Sequence, residues 1–430
     1  MSNNNPEDRM RSLIEKYYLK NRIPVGNDTS QFVRELADEI DADVLSIPSG
    51  QECLTWIIPP EWVVHEAYLE TMTGKRIADF NWHPMYLKSY SAPFSGKVSR
   101  DQLIDNILFD EKRPDSIIYD YRLQYQYGER LEWGFSLPYR IVKTLSDDYY
   151  QVNIVTEFKQ GTLDILDLII PGDIPDTIFI AAHTCHPGQV NDGIAAIAVI
   201  FELIHWLKKK STLRYTYRII LGPEYFAAAG ILDNGKDVDK LKYGIFFDML
   251  GNGKPLGFSH SFTNDSYFDK ITHNVFKHNS NNHFERSYRG LWGNDELFYD
   301  GPDFQIPTLC IGRDRFDNYH TNMDNLENCD FAQLKESFLI SKKIINVLET
   351  DEIPKRLYRG PLYLNRFNLY IDPKKDRKGY NNLQNIQILA DGTKSCLEIA
   401  DALDIDYEFV RTFFEKLCKE NLLSFRDPYL

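Results

Sequence analysis

The sequence predicts an α/β layered domain around a mostly parallel sheet with helices on both faces, an antiparallel β-sandwich insertion and a small winged-helix domain. Three observations predict it. Residues 161–350 alternate continuous apolar strands with apolar helices, the rhythm of a sheet buried on both sides. Residues from about 45 to 160 instead carry short β-prone runs broken by Pro, Gly and Asp. A charged, proline-containing stretch then leads into three short helical segments.

The elements follow in order. Residues 7–42 place apolar side chains at three- and four-residue spacing, with Asp28, Thr29 and Ser30 as candidate caps for a second helix. The β-prone stretch contains Trp82, Tyr90, Trp133 and Tyr139, which suit a sandwich core or an aromatic lid. The strand ending at His183 is continuously apolar, and residues 193–207 read as a buried helix. Further strands are expected over 215–222, around 242–250 and up to Gly312, before a closing helix over 334–349. The resulting boundaries are 1–45 and 155–355 for the α/β core, 46–154 for the insertion and 370–430 for the winged helix-turn-helix domain.

Composition narrows the functional classes. With 430 residues, 43% apolar and 26% charged, the chain suits a folded protein with a large core. Its net charge of −14 opposes nonspecific binding to nucleic acid or anionic lipid. No run approaches the roughly 18 apolar residues of a membrane span, and the N-terminus lacks a secretory pattern. The cysteines, at 53, 185, 310, 329, 396 and 418, form no CxxC pair, which fits buried thiols in a reducing, cytoplasmic setting. Residues 381–430 hold nine acidic and five basic residues, a balance of −4 that argues for protein contact or self-association over DNA.

The ionisable residues cluster by position rather than by motif. Thr184, Cys185, His186, Asn191 and Asp192 follow the first core strand; Glu224 follows the second; Asp248 ends the third; Tyr319, His320 and Asp324 follow the last. In a parallel sheet these ends share one edge, where ligands bind. Imidazole and carboxylate are the donors zinc takes in catalytic sites. Each residue alone also has a structural role open to it: Asp192 as a helix N-cap, Glu224 as a charge favoured by a helix dipole.

The segments HTCHPGQVNDGIAA, LGPEYFAAAG, FFDMLGN, GNDELF and NYHTNMDNLEN resemble the M28-like dizinc aminopeptidases. More closely, the order of Cys-His-Pro, Asn-Asp, Pro-Glu and Tyr-His-Thr resembles a bacterial aminopeptidase-like family associated with polysaccharide biosynthesis. The resemblance implies His186, Asp192, Glu224, His320 and Asp248 as metal ligands, with His183 as an alternative histidine. It implies Glu224, or Asp295 or Glu296 of the GNDELF segment, as the proton-handling carboxylate. Arg313 and Tyr319 are candidates for substrate contact through a carboxylate fork and an oxyanion donor.

The departures shape the expected activity. The family's His-x-Asp reads His183-Thr184-Cys185 or His186-Pro187-Gly188, and its Glu-Glu pair reads Pro223-Glu224. One zinc ion is therefore expected rather than two. The expected function is a zinc-dependent hydrolase in which metal-activated water attacks an amide bond of a small peptide or an amino-acyl or sugar-linked substrate. The alternative is a degraded peptidase fold that binds a ligand or partner.

Overall fold

The computed structural model describes residues 5–121 and 132–426. Two compact units are present: Met1–Phe262 with Phe284–Phe338, and Thr263–His283 with Leu339–Leu430.

The first unit is organised by an eight-stranded mixed sheet. Its order is Asp43–Pro48, Thr162–Ile170, Tyr215–Gly222, Ile174–His183, Leu241–Asp248, Thr308–Arg313, Leu256–Ser259 and His283–Arg286. The four strands from Tyr215–Gly222 to Thr308–Arg313 run parallel. Antiparallel neighbours flank them through Thr162–Ile170 and Leu256–Ser259. Register pairs His183 with Gly222, Ala181 with Phe246, and Asp248 with Gly312. The four C-terminal ends therefore meet along one edge.

The parallel strands are buried because both faces are covered. Phe179 and Ala181 pack in a cluster with Ala227, Ala228 and Ile231 of the helix Phe226–Asn234. The alternating residues Ile178, Ile180 and Ala182 point to the other face and are equally buried. The helix Ile194–Leu207 has all but two of its residues buried, as its unbroken apolar sequence requires. Its buried Glu202 accepts from Nε of Arg9 at 2.8 Å, so the charge is paired.

At the N-terminal side, two helices form, Pro6–Tyr17 and Asn27–Ile40. Asp28, Thr29 and Ser30 fall inside the second helix, and Gly26 is its cap. The antiparallel insertion contains a four-stranded layer in the order Arg76–Asp79, Glu61–Thr71, Tyr149–Lys159, Phe94–Ser99. Tyr90 is buried in its core, with Trp133 and Tyr139 packed against it. Trp82 lies on the surface, 56% exposed.

The second unit contains the helices Tyr267–Asn279, Arg377–Leu389, Cys396–Leu403 and Tyr407–Lys419. Asp404 takes a left-handed conformation at the expected tight turn, and Asp406 caps the following helix. Asn274 donates to Asp401 and accepts from the backbone N–H of Tyr407. Strand Leu423–Arg426 pairs antiparallel with Ile353–Arg356, so the expected wing is one half of a two-stranded sheet with the linker. No helix among the described residues is long and apolar enough to cross a membrane.

Candidate metal centre

The strand ends deliver their side chains to one place. His183 ends the Ile174–His183 strand, and Asp192 lies in the turn before Gly193 caps the next helix. Asp192 is not the helix cap; its carboxylate faces imidazoles instead. Oδ1 lies 3.2 Å from Nε2 of His183, and Oδ2 lies 2.9 Å from Nε2 of His320. Oδ1 of Asp248 lies 3.3 Å from the same His183 nitrogen. Nε2 of His186 stands 3.7 Å from Oε2 of Glu224.

Among the described residues, three donor groups have atoms mutually within 4.8 Å: His183, Asp192 and Asp248; His186, Asp192 and His320; and His183, Cys185 and His186. Asp192 belongs to the first two. The directions are as informative as the distances. Nε2 of His183 and Oδ2 of Asp192 are buried and take part in no well-directed hydrogen bond, despite their close neighbours. Buried polar atoms normally find partners. Donor atoms that approach one another without bonding suit a cation at their common focus, and the imidazole and carboxylate set suits zinc. The residues present therefore fit the metal.

Electrostatics agree. Burial opposes charge on His183, but Asp248 and Asp192 outweigh it and hold its pKa well above the ordinary value. Burial pushes Asp248 up and His186 well down. Asp192 is also buried, yet its histidine neighbours hold it well below the usual carboxylate range. Burial lifts Glu224 to about 8, with Asp192, Asp295 and Asp248 adding to the rise against His183.

The local backbone is shaped to this purpose. His186, Tyr225, Met249 and His320 all take positive φ, at 83°, 62°, 51° and 55°. Strain of this kind clusters at functional sites because surrounding structure must enforce it. Arg22 supplies part of that enforcement. It is fully buried and donates to the carbonyl oxygens of Thr184, His186, Gln189, Tyr17 and Tyr18. Asp324 holds the other side of the turn, accepting from the backbone N–H groups of Asn191 and Asp192 and from the Asn191 amide. A Cβ on Gly193 would stand 2.5 Å from Cε1 of His183, so only glycine lets that ring sit there.

The remaining candidates divide. Oδ1 of Asp295 accepts from the backbone N–H of Tyr225 at 2.6 Å, beside Glu224, and burial lifts it to about 7. Glu296 is fully buried, accepts from the Asn294 N–H and faces Arg289 at 3.9 Å. Tyr319 stacks on His320 with ring centroids 3.9 Å apart. Arg313 corrects an expectation. It is 1% exposed and donates to the carbonyls of Leu250, Lys254 and Gln333 and to Glu336, so no fork is left for a substrate.

Sequence reasoning missed two aromatic residues from the insertion. Tyr119 packs edge-on against His186 and His320, at 4.9 and 5.3 Å, and Tyr121 lies 5.2 Å from His320. The backbone explains their placement: Tyr119 N–H donates to the His320 carbonyl, and Asn322 accepts from Ile117 N–H. No local sequence signal marks either contact.

Residues 11–351 match the family described as a domain of unknown function, DUF4910. The chain belongs to this family. It is also similar to a Clostridium acetobutylicum protein named for polysaccharide biosynthesis and an aminopeptidase-like domain, at 25% identity over 96% of this chain and 95% of the relative. A crystal structure of a C. acetobutylicum protein described as a peptidase superposes with a TM-score of 0.87 at 24% identity, covering 98% and 96% of the two chains. The zinc aminopeptidase BSAP of Bacillus subtilis superposes with a TM-score of 0.57 at 13% identity, covering 80% and 94%. These likenesses establish an aminopeptidase-like fold, as the sequence motifs led one to expect.

Proposed function

We propose that this family member is a zinc-dependent hydrolase of aminopeptidase type, acting on an amide bond of a small peptide or an amino-acyl or sugar-linked substrate. The observation that carries the reading is Asp192, whose two oxygens face two different histidines without well-directed hydrogen bonds. One donor set is His183, Asp192 and Asp248, and the other is His186, Asp192 and His320. Asp192 is common to both sets and would help hold a cation in either.

A divalent ion there supplies Lewis-acid polarisation of the reacting oxygen. The protein's own part is proton handling and positioning. Glu224 is the best placed carboxylate: it lies beside His186, and burial raises its proton affinity. Asp295 supports the same segment from the Tyr225 N–H. Tyr119, Tyr121 and Tyr319 pack around the His320 ring.

The test is hydrolysis of an amino-acyl p-nitroanilide and amide library by zinc-loaded protein. Zinc-dependent turnover that Glu224→Gln reduces by about 10²–10⁴-fold supports the reading, since that is the usual worth of a positioned acid or base. Zinc binding with no turnover, but with thermal stabilisation by such ligands, favours the ligand-binding alternative, which the lone Glu224 in place of a Glu-Glu pair motivates.

A further inference from the structure

Cys185 is fully buried among the donors, yet its sulfur faces the far side of His183 from the carboxylates. Sγ lies 3.7 Å from Nδ1 of His183, and the backbone N–H of Glu224 donates to it at 3.3 Å. A backbone N–H only donates, so the sulfur is an acceptor in that contact. The His183 ring has two places for its proton. Nε2 faces Asp192 and Asp248 and makes no directed hydrogen bond. For Nε2 to give its lone pair to a cation, the proton must sit on Nδ1, and the sulfur stands opposite that atom.

We propose that Cys185 is a positioning residue whose sulfur accepts from both His183 Nδ1–H and Glu224 N–H. It fixes the imidazole tautomer that presents Nε2 to the cation, and it ties together the ends of two adjacent strands. The strands concerned are Ile174–His183 and Tyr215–Gly222, already paired at His183 and Gly222. Gly193 closes the other side of the ring, so the imidazole is held between a sulfur and a backbone that admits no Cβ. A thiol is a weaker acceptor than a carboxylate, so the histidine gains less basicity than a carboxylate partner would give it. The inference rests on the metal reading above.

The experiment uses the full chain, stripped of metal, as wild type and as Cys185→Ala, Cys185→Ser and Cys185→Asp. Each is titrated with Zn²⁺ against a competing chelator and with Co²⁺ by absorption spectroscopy, and each metal-free melting curve is recorded. Cys185→Ala is expected to lose about 10–100-fold in Zn²⁺ affinity, the usual effect of removing a ligand's outer partner. Cys185→Asp, a stronger acceptor, is expected to bind at least as tightly as wild type, with Cys185→Ser between the two. In the zinc-loaded wild type, ¹⁵N NMR is expected to place the His183 proton on Nδ1.

Unchanged affinity in Cys185→Ala with an unchanged Co²⁺ spectrum overturns the inference alone. So does a sulfur-to-cobalt charge-transfer band in the wild type that Cys185→Ala removes, because the sulfur is then itself a ligand. Failure of the wild type to bind either ion overturns both the inference and the metal reading.

Discussion

Oδ2 of Asp192 lies 2.9 Å from Nε2 of His320, although one residue follows the strand Ile174–His183 and the other sits in the loop beyond Thr308–Arg313. The other oxygen of the same carboxylate faces His183. Asp192→Asn and His320→Ala should therefore each weaken zinc binding by about 100-fold or more, since even outer partners are worth 10–100-fold. Chelator competition measures this, and unchanged far-UV circular dichroism should accompany it.

Gly193→Ala should act on the same site through space rather than chemistry. The new Cβ would meet His183 at 2.5 Å from Cε1 and 2.8 Å from both ring nitrogens. Displacing that ring should cost about 1–3 kcal/mol, as overpacking generally does. The variant should bind zinc more weakly and unfold at lower urea concentration.

Arg22 should be among the most sensitive positions outside the donor set. Its guanidinium bonds five carbonyl oxygens and fixes the turn that carries His186 at φ 83°. Arg22→Met leaves those acceptors without it, at roughly 1–3 kcal/mol for each that stays buried and unsatisfied. Arg22→Lys keeps the charge with fewer, differently directed donors and should fall between the two. Urea unfolding orders the three proteins.

His83, whose ring packs against Gly188 in the turn after His186, provides a pH prediction. Burial lowers it from 6.5 to about 4, and its Nδ1 accepts from the Met85 N–H, which requires the unprotonated atom. A histidine depressed in the folded state contributes stability that is fully present above its unfolded pKa. That contribution is lost as pH falls from about 6.5 through about 4. His83→Asn keeps a capping acceptor and removes the titration, so its stability should fall less steeply across that interval. Urea midpoints at pH 7, 5.5 and 4 compare the two.

Much of this architecture is legible in the sequence. The buried strand before His183 and the buried helix after Gly193 are continuous apolar runs, and such runs report burial directly. The cluster was legible because strand ends in a parallel set share an edge, so His186, Asp192, Glu224, Asp248 and His320 could be placed together without contact information, whereas His183 entered only as an alternative through the resemblance. Tyr119, Tyr121 and Arg22 were not legible: their roles depend on long-range packing between segments with no shared periodicity. Arg313 misled for the opposite reason. Its position after a core strand suggests a substrate contact, but the carbonyls that saturate it come from residues distant in the chain.

Metal content by mass spectrometry of the wild-type chain and Asp192→Ala, after stripping and zinc replenishment, tests the central claim most directly. The wild type should retain one or two zinc ions per chain and Asp192→Ala neither. Zinc retained equally by both proteins, or by neither, would contradict a cation centred on the Asp192 carboxylate.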